Sequence, residues 1–255
     1  MNVKALYEQF NERIPRALSC DWDNDGLMCC PDPKREVRRV LVALDITAAV
    51  AEKAIAGGYD LVVSHHPLIF SPLRALDPAD PVAKKVIRLL LGGVSAMSFH
   101  TRLDAVEGGV NDVLAKALGL CEVTAFGPEG EAIGRIGSLP APVSLEAFAK
   151  TVKKATGAAM LQYASAGLSV QRVAVLGGSG ASDVGAAFRA GADTYVTGEL
   201  KHNNLTDAPE RGMNLIAAGH FHTENLICNR IRELLLEMDA TLDVDLICSD
   251  PVCVL

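Results

Sequence analysis

Apolar residues occur along this chain in short blocks rather than at every second position. Uninterrupted apolar runs, such as residues 40–44 and 173–176, are each followed by a small-residue turn and an Ala-rich stretch. A run that is apolar throughout suits a strand buried on both faces of a helix-covered parallel sheet. Strands that alternate with helices in this way predict an α/β fold.

Two stretches of the sequence, residues 37–70 and 170–203, align with each other without a gap. The aligned pairs fall on a strand, a helix, a helix-ending glycine and the start of a second strand, namely Arg39 and Arg172, Ala54 and Ala187, Gly58 and Gly191, and Asp60 and Asp193. A chance likeness of two Ala-rich segments is the alternative. The shared order of these features favours an internal duplication, in which each copy is a β-α-β unit.

A third strand is predicted in each half, at residues 93–99 and 213–218, and each runs directly into a histidine. Further predictions are a helix over 145–156 between Ser144 and Gly157, a helix over 110–118, strands over 133–139, 161–164 and 243–248, and one helix from near His220 to 237. We therefore expect two similar, interlinked α/β lobes. The N-terminal lobe spans residues 1–125 and the C-terminal lobe 126–255, with the boundary within 121–130 and a C-terminal segment that can pack back on the first lobe.

Composition narrows the range of partners and compartments. The net charge is −7 with a pI near 5.4, and no basic stripe is visible, which argues against nucleic acid but leaves a local pocket for an anion open. The N-terminus does not resemble a signal peptide, and no apolar run reaches the length of a membrane span. The seven cysteines form no CxxC spacing, so we expect a cytoplasmic protein in a reducing environment.

All six histidines lie at or just after a predicted strand end, or on the element that follows it. Ligand sites of open α/β sheets form outside the carboxyl ends of the strands. The candidates at these ends are His65 and His66 as neighbours, His100 followed by Asp104, His202, and His220 followed by His222 and Glu224.

These residue types suggest a pair of metal ions. His220 and Glu224 share one face if their segment is helical, and imidazole with carboxylate is a usual ligand set for a transition metal. Adjacent histidines diverge, so His65 and His66 could each serve a different ion, while Asp104 and Glu224 add the negative charge that helps two dications lie about 3.5–4 Å apart. Each feature alone is more often a structural histidine or a surface pair. Their joint occurrence favours the metal interpretation.

Other motifs leave two interpretations open. The glycines of residues 177–180 could bind phosphate through backbone N–H groups or form a tight turn. Residues 22–27, with the only tryptophan, could line a pocket or form an anchored turn. Lys201 and Arg102 could each neutralise a phosphate or be a solvated charge.

Several motifs, in order over nearly the whole chain, resemble the Nif-three-like family, also called GTP cyclohydrolase 1 type 2 homologues. The matching blocks are Trp22-Asp23-Asn24-Asp25-Gly26-Leu27, Ser64-His65-His66-Pro67-Leu68-Ile69-Phe70, His100-Thr101-Arg102-Leu103-Asp104, Gly108-Gly109-Val110-Asn111-Asp112, Gly177-Gly178-Ser179-Gly180 and Gly219-His220-Phe221-His222-Thr223-Glu224. Glu199 stands where members often have Asp, and His222 where many have a small residue.

The resemblance implies that His65, His66, Asp104, His220 and Glu224 bind two divalent ions in the cleft between the lobes, with Glu224 bridging them. It also implies a ring-shaped homo-hexamer. The ligand set permits Zn, Fe, Mn, Co or Ni.

The function that these expectations favour is hydrolysis by metal-activated water, and the family label implies GTP, with purine ring opening and release of formate. We assign catalytic roles to Glu224, His222 and His100, and substrate binding to Trp22, Asn24 and Lys201. The alternatives are a metal-dependent phosphoesterase and a non-enzymatic, metal-dependent scaffold or regulator.

The helical period separates the two histidines near Glu224. At about 100° per residue, Glu224 lies close to His220 around the helix, whereas His222 lies about 200° away. We therefore expect His222 to point towards the fold or the opening of the pocket rather than at the metal ions. At the pocket its imidazole could act as a proton donor to the substrate.

Overall fold

The computed structural model describes residues 1–128 and 132–253 of the chain. Gly130, at the end of the predicted lobe boundary, and residues 254 and 255, at the end of the second predicted lobe, lie outside the described residues. The α-helices are α1 Val3–Arg13, α2 Ala48–Ala56, α3 Pro81–Leu91, α4 Thr101–Ala105, α5 Val110–Ala117, α6 Leu145–Thr156, α7 Val184–Arg189, α8 His202–Glu210, α9 His220–Glu224 and α10 Ile227–Met238. The strands are β1 Gly26–Cys29, β2 Arg39–Ala43, β3 Leu61–Ser64, β4 Ser95–Ser98, β5 Cys121–Phe126, β6 Gly134–Val143, β7 Gln162–Ala164, β8 Val170–Leu176, β9 Thr194–Thr197, β10 Asn214–Ala217 and β11 Asp243–Ile247.

The chain divides into two compact units, each assembled from two segments. Unit 1 contains Met1–Val106 and Ile227–Ser249, and unit 2 contains Glu107–Leu226 and Asp250–Leu255. The last strand, β11, pairs in parallel with β2, so a segment from near the C-terminus completes the sheet of unit 1.

Unit 1 has a five-stranded sheet in the order β1-β4-β3-β2-β11. Strands β4, β3, β2 and β11 are parallel neighbours, and β1 is an antiparallel edge strand. The four residues of β3 are fully apolar or small and buried, as expected for a strand covered on both faces. This sheet directs the carboxyl ends of β3 and β4 towards the same edge.

Unit 2 has a six-stranded sheet in the order β5-β6-β8-β9-β10-β7. Its centre, β8-β9-β10, is parallel, and β5, β6 and β7 join it in antiparallel pairings. The mixed α/β architecture with two similar halves confirms the predicted fold class.

The two aligned stretches form the same β-α-β unit, β2-α2-β3 in unit 1 and β8-α7-β9 in unit 2. An aspartate at the start of the second strand braces the first strand in both. Asp60 Oδ2 accepts hydrogen bonds from the N–H groups of Arg38 and Arg39 at 2.9 and 3.0 Å. Asp193 Oδ2 accepts from Gln171 and Arg172 at 2.9 and 2.6 Å. The duplication therefore extends to individual hydrogen bonds.

Local sequence signals explain the helix ends. Ser144 Oγ accepts from the N–H of Ala147 at 3.3 Å, and Gly157 takes the left-handed conformation (φ 70°) that ends α6. The single helix predicted from His220 to 237 is wrong, because a turn at Asn225 and Leu226 separates α9 from α10. The chain passes there from unit 2 to unit 1.

None of the described helices combines the length with the apolar character that a membrane span requires.

Candidate metal centre

His65 and His66 lie where the chain leaves the carboxyl end of β3. The N–H of His66 donates to the carbonyl of Leu44 at 3.0 Å, and Ser64 Oγ donates to the carbonyl of His66 at 2.8 Å. These bonds hold the backbone against the neighbouring strand end. The sharp local path lets two adjacent imidazoles serve one site.

We call His65, His66 and His100 the histidine cluster of unit 1. One ring nitrogen from each lies within 4.8 Å of the others. The ring centroids are 4.9 Å apart for His65 and His66, 5.3 Å for His65 and His100, and 5.7 Å for His66 and His100. His65 is buried and the other two are half-buried. Strands β3 and β4 thus bring together the histidines that the sequence places at their ends.

Each ring of the cluster has its Nδ1 engaged by a hydrogen-bond acceptor. The partners are the carbonyl of Phe99 for His65 (2.9 Å), Asp45 Oδ1 for His66 (2.8 Å) and Asp23 Oδ1 for His100 (2.8 Å). A carbonyl or a carboxylate oxygen accepts, so Nδ1 carries the proton and Nε2 presents its lone pair. An oxygen acceptor at Nδ1 is typical of histidines that bind metals through Nε2.

Asp23 is held as a carboxylate. Burial raises the pKa of Asp23, but hydrogen bonds from His100 and Thr101 outweigh burial and lower the pKa to about 2. The Oγ1 and N–H of Thr101 donate to Asp23 Oδ2 at 2.6 and 3.0 Å. The carboxylate of Asp23 thus accepts from Nδ1 of His100 and fixes the orientation of that ring.

Asp104 adds an anionic oxygen beside the cluster. It lies on α4, and its Oδ1 is 3.6 Å from Nε2 of the buried His65. Since the Nδ1 of His65 donates to Phe99, a lone pair of His65 faces a carboxylate. Such a pair is favourable when a cation or a proton lies between the two groups.

A buried ion pair anchors α4. Arg102 Nε donates to Asp25 Oδ2 at 2.9 Å, and both side chains are almost fully buried. Arg102 also donates to Asn11 and to the carbonyl of Ile14. Removing one member of such a pair leaves a buried, uncompensated charge, so this network fixes the position of Asp104.

Unit 2 carries a second group, the His220–Glu224 pair on α9. His220 Nε2 is 3.1 Å from Glu224 Oε2, and its Nδ1 is 3.2 Å from Glu199 Oε1. The predicted helical register is therefore present, because residues four apart share one face. Again an imidazole Nε2 lies beside a carboxylate, here one that is almost fully buried.

The glycine-rich turn of residues 177–180 provides the space for Glu224. A Cβ on Gly178 would overlap Glu224 Oε1, and the backbone of Gly178 is left-handed (φ 65°). The N–H groups of Gly177, Gly178 and Gly180 donate to Asn111, Thr223 and Thr197. With these donors engaged inside unit 2, the tight-turn interpretation is favoured over phosphate binding.

Two further residues predicted for the site, His222 and Lys201, have other neighbours in unit 2. His222 Nε2 is 3.8 Å from Asp250 Oδ2, a residue near the end of the chain. Lys201 is exposed and immediately precedes α8, where its N–H donates to Asn204 Oδ1 at 3.1 Å.

Two large aromatic side chains lie exposed beside the histidine cluster. Trp22 and Phe70 are 61% and 55% exposed, and their ring centroids are 6.0 and 6.2 Å from that of His100. The centroids of Trp22 and Phe70 are 6.1 Å apart. Asn24 donates to the carbonyl of Ile69 and so ties the tryptophan loop to the Phe70 loop. An exposed aromatic pair of this kind can receive an apolar or planar group.

Asp45, Asp23 and Glu199 were missed as functional residues by sequence reasoning. Each orients a candidate ligand through Nδ1. The sequence positions of two of them could have indicated a role: Asp45 follows the end of β2, and Asp23 lies within residues 22–27 beside Trp22. Their partners, however, are distant in sequence.

The comparison with known proteins agrees with the motifs. The family model of Duf34/NIF3 (NGG1p interacting factor 3) matches residues 1–251. A relative from Nostoc sp., named GTP cyclohydrolase 1 type 2 homolog, is 37% identical over 86% of this chain and 84% of its own length. Protein NIF3 homolog of Schizosaccharomyces pombe is 32% identical over 98% of both chains.

Solved structures agree as well. The crystal structure of a hypothetical protein from Staphylococcus aureus superposes with a TM-score of 0.90 at 26% identity, covering 100% of this chain and 99% of that chain. With a family match over almost its full length, this chain belongs to the Duf34/NIF3 family.

Proposed function

We propose that the chain holds two divalent metal ions through His65, His66, Asp104, His220 and Glu224. The observation that carries the proposal is the shared orientation of the histidines. Each has its Nδ1 at an acceptor oxygen, and each therefore presents Nε2 as a ligand atom. In addition, Nε2 of His65 and of His220 each faces a carboxylate oxygen, at 3.6 and 3.1 Å. The nitrogen and oxygen donors fit a dication of the Zn, Fe, Mn, Co or Ni class.

The bound ions would lower the pKa of water and polarise the group under attack. The protein residues have separate tasks in this proposal. Asp104 and Glu224 would supply the negative charge that offsets two bound dications. Asp45 and Glu199 orient their imidazoles, and the carboxylate of Asp23 orients His100.

We infer a hydrolase acting on a planar, anionic substrate, with GTP ring opening and formate release as the first reaction to test. The exposed rings of Trp22 and Phe70 would stack on a base, with Asn24 holding the two loops together. Lys201 is the candidate for a phosphate contact. His100 and His222 are candidates for proton transfer, a role suited to imidazole near neutral pH. The name of the Nostoc relative supports this choice of substrate.

The test is formate release from GTP by metal-loaded wild-type protein and by Asp104→Asn. We expect release by the wild type and a loss of at least about 100-fold in the variant, because a ligand and a negative charge are removed. Asp77→Asn, at an exposed turn, is the matched control and should behave as wild type.

The possible outcomes separate the candidate functions. Equal release by wild type and Asp104→Asn would remove this site from the reaction. If neither releases formate, hydrolysis of bis(4-nitrophenyl) phosphate is the next test, and activity there would favour the phosphoesterase. Inactivity in both assays, with metal retained, would favour the scaffold or regulatory role.

We also propose that the protein assembles as a hexamer in a reducing, cytoplasmic environment. The proposal is supported by the family resemblance and by the seven cysteines, none of which forms a disulfide within the described residues. Light scattering at micromolar concentration measures the mass directly. A monomer there would contradict the hexamer.

A further inference from the structure

Unit 2 contains an open groove between α7 and α8, away from the candidate metal ligands. Its volume is about 480 Å³, and its lining includes Gly185, Phe188, Arg189, Asn204, Asp207 and Arg211. The groove lies on the helix-covered face of the duplicated β-α-β unit. It therefore has a counterpart in unit 1.

The counterpart is a smaller groove of about 310 Å³ between α2 and α3. The gapless alignment of the two copies places Gly185 at the position of Glu52. The strand registers extend this equivalence to the next helix, because Leu61 pairs with Ser95 as Thr194 pairs with Asn214. Counting back from those strands places Asp207 at the position of Arg88.

The two equivalent grooves differ at these positions. In unit 1, Arg88 Nε and Nη2 donate to the carboxylate oxygens of Glu52 at 2.9 and 2.7 Å, so an ion pair bridges the two helices. In unit 2 the same positions hold Gly185, which has no side chain, and Asp207. No bridge can form there, and the groove is open.

Two arginines line the open groove. Among the described residues, neither Arg189 nor Arg211 forms an ion pair, although the chain carries a net charge of −7. The Nη1 of Arg189 lies 3.4 Å from the position that a Cβ on Gly185 would occupy, so this guanidinium lies along the groove. Phe188 is 45% exposed beside it. The groove thus combines cations with an aromatic face.

We propose that this groove binds a phosphate monoester that carries a planar ring. Arg189 and Arg211 bind the phosphate, since guanidinium groups match phosphate oxygens in charge and geometry. The ring packs on Phe188. Asp207 supplies an acceptor for a hydroxyl or amino substituent on the ring. The site is independent of the metal centre and does not rest on the function proposed for it.

The test is calorimetric titration of phenyl phosphate into the protein as purified and into protein dialysed against a chelator. The chelator separates groove binding from binding to metal. We expect a Kd below about 1 mM in both preparations. Phenol and inorganic phosphate, titrated separately, should each bind at least about tenfold more weakly, because each makes only part of the contact.

Two kinds of variant locate the site. Arg189→Gln combined with Arg211→Gln should weaken binding at least about tenfold. Lys150→Gln combined with Lys153→Gln removes the same charge from the exposed face of α6 and should leave binding unchanged. Gly185→Leu should block the groove sterically, while Gly185→Ala, at a helical position with ordinary φ, should retain binding.

Thermal melts confirm that each variant is folded. Absence of binding at 10 mM phenyl phosphate in wild type, or equal binding by the double arginine variant, would overturn the proposal. A lower mass of Gly185→Leu in light scattering would also overturn it, because the groove would then hold a second copy of the chain.

Discussion

The two β-α-β copies have the same arrangement of strands and helix, but they carry different residues at the ends of their second strands. The alignment places Gly198 at the position of His65 and Glu199 at the position of His66. In unit 1 both positions hold a histidine that we propose as a metal ligand. In unit 2, Gly198 leaves room for the backbone of His220, since a Cβ there would come within 2.8 Å of the His220 Cα. Glu199 in turn orients the His220 ring.

The comparison shows which features tolerate change after duplication. The aspartate brace, Asp60 or Asp193, is kept because it fixes the register of two buried strands. The residues at the strand ends and in the grooves between helices lie outside these buried strands, and they differ between the two copies. In the proposed centre the same position would hold a ligand, His66, in one copy and a residue that orients a ligand, Glu199, in the other.

The largest expected effect comes from the ligands of unit 2. His220→Ala should lose one metal ion, and Glu224→Ala should weaken both, because its carboxylate neutralises two dications in the proposed site. His222→Ala should retain both ions, since His222 lies against Asp250. Elemental analysis of the purified variants measures the metal content.

These variants also test the assignment itself. If His222→Ala empties the site and His220→Ala does not, the ligand assignment on α9 is wrong. His202→Ala, at the exposed start of α8, is the control and should match wild type.

The next effect is on metal affinity and concerns Asp45, the residue that orients His66 in unit 1. Asp45→Asn should lower metal affinity by about 10- to 100-fold, because the hydrogen bond that fixes the tautomer of His66 is weakened. Competition against a fluorescent chelator measures the affinity. Glu199→Gln is the comparable change in unit 2 and should act in the same direction. Wild-type affinity in both variants would show that these carboxylates do not orient the ligands.

The third effect is a difference in unfolding free energy between substitutions of the two aspartates Asp60 and Asp193. Asp60→Asn should cost about 2 kcal/mol of unfolding free energy and Asp193→Asn about 1 kcal/mol. The difference arises because Asp60 also pairs with Arg35 at 2.8 Å, whereas Asp193 Oδ1 accepts from the hydroxyl of Thr194. Urea unfolding of both variants at neutral pH measures the two costs.

The pH dependence of the unfolding free energy in the acid range has a definite sign for Asp60. Burial raises the pKa of Asp60, but the N–H groups of Arg38 and Arg39 and the guanidinium of Arg35 outweigh burial and lower the pKa below 3.8. The stabilisation is therefore present above pH 3.8 and is lost as the pH falls through the lowered value. The deficit of Asp60→Asn should shrink below about pH 4. A deficit that is constant with pH would contradict this.

The smallest effect concerns the unit 1 groove. Glu52→Gln removes the bridge to Arg88, and because the pair is half-exposed, stability should change less than in Asp193→Asn. The freed Arg88 should let this groove bind phenyl phosphate weakly in the calorimetric titration. Adding Glu52→Gln to the double arginine variant should therefore restore part of the binding. If it does not, the two grooves differ in more than this bridge.

Much of the fold follows from local sequence patterns. The duplicated β-α-β units, the third strands and α6 with both its caps were predicted, because buried parallel strands and capped helices leave strong local signals. The break at Asn225 and Leu226 was missed, because no glycine or proline marks it in residues 220–237. The antiparallel pairings of β5, β6 and β7 depend on the partner strand, which no local pattern specifies.

The candidate site shows the same division. The histidines and their positions at strand ends predict a candidate metal site from sequence, and the structure brings His65, His66 and His100 together. Asp45 and Glu199 could not be assigned, since their partners lie 21 residues away in each case. The groove between α7 and α8 depends on an absent side chain, at Gly185, and only the comparison of the two copies reveals it.

The most direct test of the central claim is the metal content of the protein purified without added metal and again after reconstitution with Zn²⁺, Fe²⁺ or Mn²⁺. Inductively coupled plasma mass spectrometry should give two divalent ions per chain after reconstitution, and His65→Ala combined with Glu224→Ala should give none. A wild-type stoichiometry near zero, with no uptake of any of these ions, would contradict the proposed centre.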